Sequence, residues 1–428
     1  LESLRVLKEK PSTNSSVSSF QALMVSTASR VGTGNIVGVS TAVCLGGPGA
    51  VFWMWVLAII GGASAFIEST LAQIYKKRNP DGTSYGGPAY YIEQAMNNHI
   101  LAGVFAVCLI ATYAFGFNMV CSYNLQSSFI GYSFYSENVT PWIIGAVIAI
   151  FVGICILGGG KSIEKASSII VPFMGIFYLA IALIVIFVNF RNIPEMFKLI
   201  FEDAFDFRSI ASGIAGSCLI YGIKRGLYSN EAGVGSAPNA AAAADVSHPV
   251  KQGLVQTLSV YIDTLILCTA TAFMCISSGV ERTNDVAGAP YVQNAVSSVF
   301  GSIGPVFITV AMILFAFTTL IGNLYYTNNA LAFLNKKKMP SNAFMTIYRI
   351  ICVLTIFVGA GLSMETAWAV ADITMGLMTI INIPCCIILG GVAFKALRDY
   401  ENQKKENFNP VFKAEKIGLD PSKLDFWK

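Results

Sequence analysis

The stretch Ala28-Ser29-Arg30-Val31-Gly32-Thr33-Gly34-Asn35-Ile36-Val37-Gly38 packs three glycines, an amide, two hydroxyls and a guanidinium into an apolar segment long enough to cross a bilayer. Backbone in hydrocarbon must satisfy its own N–H and C=O groups, so polar, glycine-loosened chain at that depth needs a purpose. One purpose is close helix packing through small residues. The other is a broken helix. The second half-helix of a break presents free N–H groups and a positive dipole, which suit a carboxylate. Thr33, Gly34 and Asn35 stand there. The first half presents free carbonyls, here those of Ala28 and Val31, which suit a hard cation. A zwitterionic amino acid with sodium fits both ends. Local capping by Thr33 and Asn35 is equally compatible with a break. The glycine spacing is no nucleotide fingerprint, because no strand precedes it.

Charges inside apolar spans are few: Arg30, Glu68, Asp263 and Asp372, with Glu231 just beyond one span. Arg30 lies about one turn to the cytoplasmic side of the break and can pair with Glu68 or Asp372 as an inner gate. Asp263 lies about halfway along its span and needs a cation, strong hydrogen bonds or a helix cross-link to offset its burial. Thr318 and Thr319 can give hydroxyl oxygens to the same cation or bond back to their own helix. The ten cysteines form no C-x-x-C pair, and His99 and His248 are far apart. No nucleophile–base pair or metal cluster is visible, which argues against an enzyme and against an organic cofactor.

The elements that must position these residues follow from composition. Of 428 residues, 54% are hydrophobic and 12% charged, about half the charge of an ordinary soluble domain. Apolar runs of about 20 residues predict an all-α integral membrane protein. Ten transmembrane helices are expected at 19–46, 49–76, 99–134, 140–158, 168–189, 207–223, 251–277, 304–335, 343–362 and 366–397. Lys and Arg gather on one side, in the clusters Arg5/Lys8/Lys10, Lys76-Lys77-Arg78, Lys161/Lys165, Lys224-Arg225 and Lys336-Lys337-Lys338 and in the tail. That places both termini in the cytoplasm. Residues 80–98 and 190–206 read as interfacial segments with short amphipathic helices. Residues 1–18 form an N-terminal cytoplasmic segment, expected to be truncated. Residues 398–428 form a charged cytoplasmic tail without chemistry. The core, 19–397, divides into two repeats, 19–189 and 207–397. Five is odd, so the second must be inverted, giving a 5+5 inverted repeat with broken helices 1 and 6. The second interruption is expected at Ala211-Ser-Gly-Ile-Ala-Gly-Ser-Cys218, because paired interruptions mark a transporter's midplane site.

Six motifs then carry a family resemblance. They are Gly32-Thr-Gly-Asn-Ile-Val-Gly38, Gly46-Gly-Pro-Gly-Ala-Val-Phe-Trp-Met-Trp55, Gly86-Gly-Pro-Ala-Tyr-Tyr-Ile-Glu93, Ser229-Asn-Glu-Ala-Gly-Val-Gly-Ser-Ala-Pro238, His248-Pro-Val-Lys-Gln-Gly-Leu-Val-Gln256 and Tyr261-Ile-Asp-Thr-Leu-Ile-Leu-Cys-Thr-Ala-Thr-Ala-Phe273. In this order, over nearly all of 17–397, the chain resembles the alanine-or-glycine:cation symporter family. The resemblance implies the leucine-transporter fold, alternating access and sodium-coupled uptake of a small neutral amino acid across a prokaryotic plasma membrane. It implies one further helix ahead of the ten. It places the substrate carboxylate at Thr33, Gly34 and Asn35, with Gly213, Gly216 and Ser217 completing the pocket. It places sodium between the backbone at Ala28 and Val31 and the hydroxyls of Thr318 and Thr319.

Two positions depart from the family pattern. Cys121 stands where the family has glutamine, and Asn323 where many members have tryptophan. Both positions line the side of the family's pocket, so the pocket is roomier and of different polarity. The expected partners are a small neutral amino acid, sodium and the bilayer, with no nucleic acid and no obligate protein partner. The alternative is a proton-coupled or glutamine-type carrier. A channel fits less well, since no ring of filter residues recurs.

Overall fold

The computed structural model of the protein describes residues 2–11, 16–79, 81–157, 160–206, 217–406 and 408–427. Helix α1 (Ser19–Arg30) starts at a capping box. Ser18 Oγ accepts from the Gln21 amide at 3.1 Å, and Gln21 Oε1 accepts from the Ser18 amide at 2.9 Å; reciprocal bonds of this kind satisfy two N–H groups that the first turn leaves open. The helix ends where Val31 turns to ψ 87°. Val31, Gly32 and Thr33 connect it to α2 (Gly34–Gly46), much of it wound as π-helix, a form that concentrates at functional sites.

Helix α3 (Ala50–Ile74) returns to the face from which α1 starts, called here the near face. A two-stranded hairpin, Lys77–Arg78 with Ser84–Tyr85, and helix α4 (Pro88–Met96) cover that face. Then come α5 (His99–Ser127), α6 (Thr140–Leu157), α7 (Gly160–Val188) and the amphipathic α8 (Ile193–Ala204). The second half runs α9 (Cys218–Asn230), α10 (Ala237–Ala243), α11 (Val250–Ser277), α12 (Ala289–Phe300), α13 (Ile303–Leu334), α14 (Asn342–Ala360) and α15 (Met364–Lys405). Among the described residues, seven helices are long and apolar enough to cross a membrane. Ile150, Phe151 and Ile154 on α6 and Ile373, Ile380 and Ile387 on α15 point outward, while Asn35, Glu68 and Asp263 are fully enclosed. Apolar outside and polar inside is the reverse of a water-soluble fold. The chain is a multi-pass membrane protein.

The interruption expected at 211–218 falls almost wholly on residues 207–216, which lie outside the described residues together with Gly213 and Gly216. Ser217 caps the start of α9, its hydroxyl accepting from the Ile220 amide at 3.4 Å. The helix continues through Lys224 and Arg225, which the charge pattern assigns to a cytoplasmic loop. It stops at Glu231, in the left-handed conformation at φ 54°, followed by Gly233 at φ 79° and Gly235 at φ 93°. Three left-handed residues in five end an L-residue helix. The chain restarts as α10, so the unwound segment is 231–236.

The C-terminal segment, expected as a tail without chemistry, packs across the near face. Phe412 and Trp427 are buried, Trp427 Nε1 donates to the Gln73 carbonyl at 2.7 Å, and Lys77 pairs with Asp425 at 3.2 Å. Lys76 and Arg78 sit over the Phe426 ring at 4.3 and 4.2 Å. His248 lies edge-on to Tyr400 and Phe412, accepts from the Val250 amide and meets Asp399 at 3.3 Å. Burial pushes its imidazole down to about 4, against the opposing pull of Asp399 and helped by Lys251 and Lys416. The released segment binds the proton more readily than the docked one, so docking weakens as pH falls from 6.5 toward 4. A glutamate-specific protease should therefore cut at Glu415 faster across that window. His248→Gln should remove this pH dependence.

Candidate substrate and cation site

The two interruptions face each other, and Asn35 joins them. Its Oδ1 accepts from the Gly32 amide at 2.8 Å, which holds the turn of the first break. Its Nδ2 donates to Asp263 Oδ1 at 2.7 Å and to Ser229 Oγ at 3.1 Å. Asp263 sits in a π-wound stretch of α11, Ile262–Cys268, and its other oxygen accepts from Ser229 Oγ at 2.9 Å and Thr264 Oγ1 at 3.0 Å. A carboxylate and two hydroxyls, with an amide whose ends exchange by rotation, make a compact set of hard donors. The sequence left Asp263 open between a cation, a hydrogen-bond network and a helix cross-link. The structure gives it a network within which the oxygens converge.

A second cluster lies alongside. Ser29 Oγ is 2.7 Å from Glu231 Oε1 and 2.8 Å from Asn323 Oδ1, and Ser236 Oγ donates to Glu231 Oε2 at 2.6 Å. Asn323 Nδ2 donates to Asn118 Oδ1 at 3.0 Å. Glu68 accepts from Asn382 Nδ2 at 2.8 Å and from the Gly233 amide at 3.4 Å. Arg30 is enclosed, with its Nη1 at 3.2 Å from Gln256 Oε1. Among the described residues, three buried carboxylates, Glu68, Glu231 and Asp263, thus surround the breaks against the Arg30 guanidinium. Acids buried this deeply are held as anions only where a cation or hydrogen bonds offset the charge, so the cluster suits a bound cation.

Thr319 and Thr318 part company. Thr319 Oγ1 reaches the Ala28 carbonyl at 3.4 Å, and a Cβ on Gly32 would fall 2.0 Å from that hydroxyl. Thr318 bonds back to Leu314 and Phe315, both at 3.1 Å, and faces Met174 on α7. The Ala28–Thr319 locus and the Asp263 locus have different partners, which corrects the expectation of one cation shared by Asp263 and both threonines.

The gate expectation for Asp372 also changes. Asp372 pairs with Arg225 at 2.9 Å and Lys224 at 3.5 Å, not with Arg30. The Arg225 guanidinium lies 3.7 Å from the Trp368 ring centroid; Trp368 packs on Tyr228 at 4.8 Å, and Tyr228 on Phe117 at 4.7 Å. A Cβ on Gly34 would fall 2.8 Å from Tyr228. This stack lies between the break and the far face. Arg30 and Glu68 make no ion pair within 4 Å among the described residues.

Helix α5 supplies the third wall through Phe117, Cys121 and Asn124, at positions i, i+4 and i+7 on one face. Cys121 is enclosed, its thiol 3.6 Å from the Ala316 carbonyl and within reach of the Thr33 hydroxyl. Asn124 Nδ2 donates to Thr33 Oγ1 at 3.2 Å. Gln126 points elsewhere, to the Tyr135 hydroxyl at 3.0 Å. Sequence reasoning missed Ser229, Tyr228, Asn124, Trp368 and Asn382. Ser229 had a signal: it opens the polar, two-glycine run Ser229–Pro238, which repeats the composition of the first break.

The chain matches the model of the sodium:alanine symporter family over residues 1–414. It is 44% identical to "Probable sodium/glutamine symporter GlnT" of Bacillus subtilis, covering 96% of this chain and 84% of that protein. It is 37% identical to "Sodium/alanine symporter AgcS" of Methanococcus maripaludis, covering 91% and 85%. The crystal structure of MhsT in complex with L-phenylalanine superposes with a TM-score of 0.58 at 15% identity, over 87% of this chain and 89% of that one. That likeness concerns the fold alone, and it is the leucine-transporter fold that the family resemblance implied. The family is one of transporters and not of enzymes, and this chain belongs to it: it is a member of the sodium:alanine symporter family.

Proposed function

We propose that the protein imports a neutral amino acid together with sodium across a prokaryotic plasma membrane, with both termini in the cytoplasm. The observation that carries this reading is the junction of Asn35, Asp263 and Ser229, which ties both interrupted helices to α11. The cargo carboxylate lies on the N–H end of α2, at Thr33 and Gly34. One sodium lies among Asp263, Ser229 and Asn35, and another between the Ala28 and Val31 carbonyls and Thr319. An ion that links the two breaks couples its own binding to their closure on the cargo.

Ten crossings in two inverted halves complete the proposal, with 231–236 as the second break. Packing supports it: α3 lies on α11, α5 on α13, α6 on α14, and the first break on α9. The first four crossings each meet the one five places later, a pairing in keeping with two related halves. The Arg225–Asp372–Trp368 stack closes the far side. In liposomes, the purified protein should accumulate labelled amino acid only under an inward sodium gradient. Accumulation driven by a proton gradient alone would replace sodium as the coupling ion, and conductance without accumulation would replace the carrier by a channel.

Cys121 and Asn323 favour a second reading of the cargo, a larger amide of the kind in the name of the relative GlnT. Cys121→Gln narrows the pocket and restores an amide. It should shift competition toward alanine and glycine by about tenfold, the equivalent of about 1.4 kcal/mol. An unchanged profile would show that Cys121 does not line the pocket.

A further inference from the structure

The asparagines around the breaks use their amides fully, with one exception. Asn35, Asn118, Asn230, Asn323 and Asn382 each have both the Nδ2 and the Oδ1 ends engaged with protein atoms. Asn124 is equally enclosed, and its Nδ2 is held by Thr33, yet its Oδ1 meets no donor. A buried acceptor left open costs about as much as a lost hydrogen bond, so native interiors rarely keep one without a use.

Its position suggests the use. Asn124 shares the α5 face with Phe117 and Cys121, all three turned to the first break. The Thr33 hydroxyl is itself engaged, with Cys121 and Tyr228 as further partners. The open group on this face is therefore the Asn124 Oδ1 acceptor. The zwitterion's two charges are claimed elsewhere: the carboxylate by the N–H end of α2, and the ammonium by the carbonyl ends of α1 and α9. What extends from the cargo toward α5 is its side chain.

We infer that Asn124 is a specificity-determining residue, whose side-chain carbonyl accepts from the cargo side chain and selects a carboxamide. A carboxamide meets the open acceptor with its own N–H. The inference rests on the amino-acid transport proposed above and names the class of side chain the site reads. A site built to bond a polar group discriminates strongly against an isostere that lacks it, because its own polar atom is then left unpaired.

The test measures sodium-driven uptake of labelled alanine into liposomes, with glutamine and glutamate γ-methyl ester as competitors. The ester keeps the shape and carbonyl of glutamine and loses its N–H groups. In the wild type, glutamine should compete about tenfold or more better than the ester. Asn124→Leu should move the ratio of glutamine to alanine KM by about tenfold or more, against glutamine. Equal competition by the ester overturns the inference without any variant, which covers the case that Asn124→Leu fails to fold. An equal loss for alanine and glutamine overturns it too, placing Asn124 on the zwitterion that all amino acids share. If no amino acid is taken up under a sodium gradient, the transport reading falls and takes this inference with it; uptake with no amide preference sinks this inference alone.

Discussion

Asp263→Ala is expected to lower sodium-driven uptake by about 100-fold or more. The carboxylate accepts from Asn35, Ser229 and Thr264, and hydrogen bonds to a charged group each contribute about 1.5–3 kcal/mol. Loss of two of them already amounts to about 3 kcal/mol, or roughly 100-fold in binding. The substitution also removes the negative charge that favours the cation and the shortest of the Asn35 amide's side-chain hydrogen bonds, so the turn held through Gly32 loosens. Uptake measured against external sodium should show the half-saturating concentration moving far upward. An unchanged sodium dependence with ordinary uptake would place the cation elsewhere.

Gly34→Val should abolish cargo binding while leaving the cation locus at Ala28, Val31 and Thr319 in place. The new Cβ would fall 2.8 and 2.9 Å from the Tyr228 ring, and that ring is held between Phe117 and Trp368. Overpacking of this kind costs about 1–3 kcal/mol, and here it separates α2 from α9 at the N–H end that receives the carboxylate. Sodium should still raise the thermal stability of the variant, whereas added amino acid should no longer do so. Gly38→Ala is the control. Its Cβ would meet Trp368 at 3.6 Å and Arg225 at 4.0 Å, ordinary contacts, and its effect should be small. Equal loss in both variants would mean that general helix packing, not the cargo site, is at stake.

The first break is legible because its polar and glycine residues interrupt an otherwise apolar run, and polar groups at that depth are costly unless a partner or a ligand meets them. The unwound segment at 231–236 escapes sequence reading for a physical reason. Lys224-Arg225 looks like a loop, since an unpaired guanidinium does not belong in a membrane helix. Its burial depends on Asp372 and Trp368, more than 140 positions later, and no local pattern announces that pairing. With the helix cut short at those charges, the small residues before Ser217 look like the interruption. The partner of Asp372 is hidden for the same reason, and Arg30 then receives a gate partner that belongs to Arg225. The docked C-terminal segment leaves no periodic signal, because a few aromatic residues among charges bind a surface that the rest of the fold creates.

If sodium and the amino acid share the junction of the two breaks, each must strengthen the binding of the other. Equilibrium binding of a labelled neutral amino acid to purified protein, titrated with sodium at constant ionic strength, measures that linkage without the complications of transport. Affinity should rise saturably with sodium in the wild type and lose most of that dependence in Asp263→Asn. Equal affinity in sodium and in choline, in the wild type, would contradict a shared junction.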